Sequence, residues 1–148
     1  MSMTEAERNK ALIKSFYEEV WNKGNVEFAH QVFAEDYVRH DLRPSQAEPG
    51  PAGQVKVARD FRKAFPDIHY TFDLLIAEND LVAVRWTSSA TMTGKWGNVE
   101  PTGRKVTYSG VNIFRLKDGK VVEIWNHRDD LGAQQQLNAP VYAGATGR

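Results

Sequence analysis

The chain has 148 residues, 19 basic and 19 acidic side chains, a formal net charge of zero and no cysteine. Hydrophobic residues make up 41% and charged residues 26%, so one domain spanning 1–148, with a sizeable core, is expected. The balance excludes several classes: no basic stripe serves nucleic acid or an anionic membrane, no thiol is present for disulfide or thiolate chemistry, and no apolar run is long enough to span a bilayer. The segment Met1 to Glu7 is acidic and polar, unlike a signal peptide, and the expected location is cytoplasmic. A net charge near zero favours association, so an oligomer is expected.

Taken in order, Thr4 and Glu7 have the spacing of a capping box. Behind them Leu12, Phe16 and Val20, with Ile13, Tyr17 and Trp21, recur at three-to-four spacing. This predicts an amphipathic helix ending before Gly24. A second short helix is expected from Val26 to Phe33 with Asn25 as its N-cap, and Phe33 to Asp41 reads as extended. Pro44, Pro49, Gly50, Pro51 and Gly53 predict a loop over 42–53, of the kind that forms a lid or pocket rim. Gln54 to Phe65 is a third helix, stopped by Pro66.

From His69 onward the pattern changes to strands. Tyr70, Phe72, Leu74 and Ile76 alternate up to a turn at Glu78-Asn79-Asp80. Leu81 to Met92 and Val106 to Leu116 are the next two strands, joined by a Gly- and Pro-bearing connection. The turn Lys117-Asp118-Gly119 leads into a last strand. A short helical piece, Ala133 to Leu137, is followed by a tail expected to fray from about 138. Helices first and hairpin-joined strands after them give an α+β class, a curved antiparallel sheet wrapped around N-terminal helices.

The last strand carries the most chemistry. Strict alternation puts Val121, Glu123, Trp125, His127 and Asp129 on one face and Val122, Ile124, Asn126 and Arg128 on the other. Titratable groups lined up beside an aromatic read as a pocket face. The opposite face, with Val122, Ile124 and Val84, is then a partly apolar outer surface, which predicts a homodimer through sheet faces.

Several stretches resemble the SnoaL-like polyketide cyclase (ester cyclase) branch of the nuclear-transport-factor-2-like superfamily. They are Phe16 to Asn25, Phe61 to Asp67, Pro101 to Val106, Gly119 to Trp125, Asp129 to Gly132 and Gln135 to Leu137. The resemblance covers roughly Glu7 to Leu137 and implies the cone-shaped fold of that superfamily. It also implies a cofactor-independent intramolecular aldol ring closure of a polyketide ester, with no metal. The family pattern Asp, any residue, Leu, Gly places an acid/base on Asp129. Many relatives carry a histidine in the stretch matching Thr91 to Gly94, where this chain has Met92.

The chemistry needs one carboxylate, partly shielded from water, to take an acidic proton flanked by carbonyls and to return one to the new alkoxide. His127, Trp86 or Trp125 could donate to the developing oxyanion. His40 is expected near the pocket mouth. Tyr17, Trp21, Trp86 and Phe114 are expected in the core or at the floor of a cavity that holds a small hydrophobic carbonyl compound. Glu123 is expected in an ion pair with Arg85 or Arg104. The four histidines show no metal-ligand spacing, and no serine sits in a nucleophile elbow. Two other readings stand beside the cyclase: an isomerase, dehydratase or hydrolase using the same pocket, and a non-catalytic binding or dimerisation module.

Overall fold

A computed structural model describes residues 2–40 and 48–138. The elements run α1 (Glu5–Phe16), a π-helical continuation (Tyr17–Asn22), a 3-10 turn (Val26–Phe28), α2 (Ala29–Val32), β1 (Phe33–Arg39), α3 (Gly50–Ala64), β2 (His69–Glu78), β3 (Leu81–Thr91), β4 (Lys105–Lys117), β5 (Lys120–Arg128) and α4 (Asp130–Asn138). The five strands form one curved, unclosed sheet in the order β1-β5-β4-β3-β2. All neighbours are antiparallel except β1 with β5.

The capping box forms: Thr4 Oγ1 accepts from the Glu7 amide at 3.1 Å, and Glu7 Oε1 accepts from the Thr4 amide at 3.1 Å. Asn25 makes no capping bond, and the expected second helix divides into the 3-10 turn and one turn of α-helix. Phe33 already belongs to β1. Of the loop expected over 42–53, residues 42–47 lie outside the described residues, and 50–53 belong to α3, which starts at Gly50. Pro51 in its first turn loses nothing by lacking an N–H, since the first amides of a helix have no internal partner. A side chain at Gly53 would place its Cβ 1.8 Å from the Glu48 carbonyl, so only glycine fits that turn. The expected fraying tail lies outside the described residues.

The core lies between the helices and the inner sheet face, with Ile13, Phe16, Val20, Phe33, Phe65, Val82, Val84, Trp86 and Phe114 almost wholly buried. Two amide side chains finish exposed strand edges. Asn22 pairs with both backbone groups of Tyr70 on edge strand β2, at 3.1 and 2.7 Å. Gln136 on α4 does the same to Thr107 of β4, at 2.9 and 2.8 Å, on the stretch that β5 does not reach. Both substitute a side-chain amide for a missing neighbour strand.

Two β-bulges decide which residues face inward. In β2 the register shifts between Phe72 and Leu74. Tyr70 is buried, but Leu74 and Ile76 are 57% and 58% exposed, on the outer face. In β5, Val121 pairs with Leu116 and Glu123 with Arg115, leaving Val122 as an extra residue. An extra residue reverses side-chain parity beyond it. Val121 and Ile124 are therefore both buried. The expected outer placement of Ile124 and Val84 is corrected: both are interior, and the exposed apolar residues include Leu74, Ile76 and Val111.

Candidate functional site

The inner sheet face and the helices enclose a cavity lined by Phe16, Tyr17, Trp21, Arg39, Gln54, Val57, Phe61, Tyr70, Trp86, Tyr108, Asn112, Ile124, Asn126 and Arg128. The π-helical turn presents Tyr17 and Trp21, β3 and β4 supply Trp86, Tyr108 and Asn112, and the far end of β5 supplies Asn126 and Arg128. Its free volume is ≈ 60 Å³.

The polar wall has a fixed hydrogen-bond polarity. Trp86 Nε1, a group that only donates, gives its hydrogen to Asn112 Oδ1 at 2.5 Å, and the Tyr17 hydroxyl donates to the same oxygen at 2.9 Å. The Asn112 amide nitrogen must then face its cross-strand partner Asn126, and it donates to Asn126 Oδ1. That orients Asn126 with its NH2 turned away from Asn112. Next along β5 comes Arg128, 3.2 Å from Asp130, whose side chain is only 13% exposed. Gln54 Nε2 donates to the Tyr37 hydroxyl at 3.0 Å, behind the wall.

Three phenols sit around this wall. Tyr70, Ser88 and Tyr108 form one cross-strand row, and Tyr17 packs against Tyr70 with ring centroids 5.4 Å apart. Burial pushes Tyr108 up to about 12 and also raises Tyr17 and Tyr70, while the positive charge of Arg128 acts the other way on all three. At neutral pH all three are neutral O–H donors. A phenol whose pKa is raised by folding stabilises the fold fully below the unfolded pKa near 10, and that stability is lost as pH rises through the folded value. Alkaline unfolding is therefore expected to begin above pH ~10 and to run toward about 12. Phenolate absorbance and far-ultraviolet circular dichroism should change together. Ionisation of more than two of the five tyrosines well before the fold is lost would show that these hydroxyls are not buried.

The sequence-predicted site is only partly assembled. Tyr17, Trp21 and Trp86 line the cavity. Phe114 is fully buried and packs edge-on against Phe16 and Tyr17, so it is core rather than lining. Trp125, His127 and His40 are corrected, because none lines the cavity and the Val122 bulge turns Trp125 and His127 to the outer face. There the His40 ring stacks on Trp125 at 4.8 Å, and His40 Nε2 lies 2.8 Å from Glu123. Glu123 pairs with Arg115 at 2.9 Å, not with Arg85 or Arg104; Arg85 is held by Asp73. Met92 is buried in the core.

Asp129 is exposed and lies outside the cavity lining given above. Its Oδ1 accepts from the Gly132 amide at 2.9 Å, and its carbonyl accepts from Ala133 at 3.1 Å, which makes it the N-cap of α4. Among the described lining residues there is no carboxylate and no imidazole. Among the described residues no group of three or more His, Asp or Glu side chains is placed to hold a metal ion, and no helix is long and apolar enough to cross a membrane.

The polar residues that matter most, Asn112, Asn126 and Arg128, were not singled out as site residues from sequence. A signal was present. Asn112 falls in the buried parity of β4, among Val106, Tyr108, Phe114 and Leu116, and a polar side chain there needs internal partners.

The family model for SnoaL-like polyketide cyclase matches residues 11–137. The chain belongs to the SnoaL-like polyketide cyclase family. Solved members of this fold agree in shape over nearly their whole length. A candidate polyketide cyclase from Acidithiobacillus ferrooxidans is 28% identical with a TM-score of 0.79, covering 91% of this chain and 97% of that one. A candidate polyketide cyclase from Bacillus cereus is 30% identical with a TM-score of 0.76, covering 93% and 85%. AclR, a candidate hydroxylase from Streptomyces galilaeus, is 28% identical with a TM-score of 0.82, covering 95% and 87%. No curated protein matches the chain. One scaffold, then, carries proteins named for different reactions, and the side chains of this cavity must decide which reading fits.

Proposed function

We propose that this SnoaL-like chain is a cofactor-independent cyclase acting on a compact hydrophobic carbonyl compound. The observation that carries the reading is an aromatic-walled hollow with the polar side chains of Asn126 and Arg128 at one end. Such donors stabilise an oxygen that gains negative charge. A carboxylate removes a proton from the carbon between two carbonyls. The resulting enolate carbon attacks a second carbonyl of the same molecule, a carbon–carbon bond forms, and the alkoxide takes the proton back.

For the carboxylate we propose Asp129. Asp129 follows Arg128 in the chain, and capping fixes its orientation while Oδ2 is not used by Gly132. Catalytic contacts in an empty site commonly tighten only when substrate is seated. Asn caps a helix as well as Asp does. Asp129→Asn should therefore leave thermal stability unchanged and lower turnover about 10²-fold, the lower end for a positioned acid/base. Asp130→Asn, which loosens Arg128, should cost less.

The second reading, a binding module without catalysis, is favoured by the exposure of Asp129 and its role as a cap. It predicts ligand affinity without turnover, and full activity of Asp129→Asn would select it or another base. We also propose that a second copy covers the outer face around Leu74, Ile76 and Val111. Light scattering at micromolar concentration should then give twice the chain mass; a monomer would remove the proposal.

A further inference from the structure

We propose that Tyr108 donates a hydrogen bond to a carbonyl oxygen of the ligand in this cavity, and that Ser88 is the positioning residue behind it. The inference rests on the cavity being the substrate site, and it names the donor that meets the substrate's carbonyl. Tyr70, Ser88 and Tyr108 stand side by side on β2, β3 and β4, all three buried. The two phenols line the cavity; Ser88 lies between them and is not part of the lining, so it acts through a neighbour. Its hydroxyl is the feature that needs a cause. Ser88 is 1% exposed, and its Oγ has no hydrogen-bond partner. A buried hydroxyl left unpaired is unfavourable, and few native structures keep one without a use for it.

The polarity of the row singles out Tyr108. Tyr17 gives its hydrogen to Asn112 at 2.9 Å. Burial is the largest influence on the other two phenols and raises both. Hydrogen bonding between them then acts with opposite signs, upward on Tyr70 and downward on Tyr108. Those are the signs of a donor, Tyr70, and its acceptor, Tyr108. Ser88 also acts downward on Tyr108, so it stands on the donor side too, although its Oγ is not within hydrogen-bond distance of a partner. With both neighbours offering hydrogens to its oxygen, Tyr108 keeps its own for the cavity it lines. The matching ligand group is one that only accepts, a ketone or ester carbonyl. When the carbon beside that carbonyl loses its proton, the oxygen gains negative charge and draws on the Tyr108 hydrogen. The phenol oxygen grows more negative in turn, and Ser88 closes on it. The unpaired hydroxyl is then a contact completed only with substrate in place.

Trp21 and Trp86 are built into the wall, so occupancy can be read by tryptophan fluorescence. The probes are cyclopentanone and methylenecyclopentane, the same ring with the oxygen replaced by a CH2 group, titrated into the purified chain. Tyr108→Phe should weaken cyclopentanone binding about fivefold and Ser88→Ala about threefold, the range for neutral hydrogen bonds, with methylenecyclopentane unchanged by either. The double variant should bind cyclopentanone no more weakly than Tyr108→Phe alone, because Ser88 has no route to the ligand once the phenol oxygen is gone. The infrared carbonyl band of bound cyclopentanone should lie lower in the wild type than in Tyr108→Phe, with Ser88→Ala in between. Ser88→Ala deletes a hydroxyl that has no partner, so its thermal midpoint should be unchanged or higher. Equal weakening of both probes, the same ketone affinity or carbonyl band in every variant, a further loss in the double variant, or no saturable binding of cyclopentanone would each overturn the proposal. This is a binding measurement on neutral probes, so neither inactivity nor full activity of Asp129→Asn bears on it. Its failure, in turn, would leave the ring-closure reading to its own test.

Discussion

Trp86→Ala is expected to destabilise the fold by about 3–5 kcal/mol, the usual cost of removing a buried tryptophan. Trp86 is 1% exposed and its ring meets Tyr70 and Tyr108 at 4.9 and 5.5 Å. It lies across Gly110, where a Cβ would come within 2.5 Å of Cζ2, so the two positions are fitted to each other. Truncation leaves a void next to an existing cavity, and the indole N–H no longer holds Asn112. Urea unfolding should show the full loss, with a fall in the thermal midpoint of roughly 10 °C. Trp86→Phe keeps most of the ring packing and should cost far less. If alanine and phenylalanine cost the same, packing is not what this residue contributes.

Asn112→Ala is expected to cost about 2–6 kcal/mol, nearly all of it electrostatic. Asn112 is 6% exposed, and its oxygen accepts from both Tyr17 and Trp86. Deleting it strands two buried donors at about 1–3 kcal/mol each. Asn112→Asp restores the acceptor but brings an oxygen against Asn126 Oδ1. The Asn126 amide must then turn over, so that its oxygen takes the place of its NH2. The aspartate variant should therefore recover much of the stability but not the ligand affinity. Equal recovery of both would show that the orientation of Asn126 has no part in binding.

How far the sequence could be read depended on whether the signal was local. The capping box at Thr4 and Glu7, the long strands and the hairpin turns rest on neighbouring residues, and these elements stand where the pattern placed them. Tyr17, Trp21 and Trp86 could be assigned to the interior for the same reason. The bulges could not, because an extra residue in β5 is defined by its register against β4. Strict alternation carried across Val122 sent Trp125 and His127 inward and Asn126 and Arg128 outward, the reverse of the structure. One hint was present: Val121 and Ile124 are three apart, a spacing that alternation cannot bury on one face. The early start of α3 was missed because Gly50, Pro51 and Gly53 resemble a loop unless one knows that the Glu48 backbone passes against them.

The register of β5 has a wider consequence. Whether this hollow shows amide and guanidinium groups or indole and imidazole groups depends on a single surplus residue at Val122. Loss or gain of one codon there would exchange the whole lining of that strand while every other residue stayed the same. A scaffold with such a switch can change its chemistry in one step, without the slow replacement of wall residues one by one.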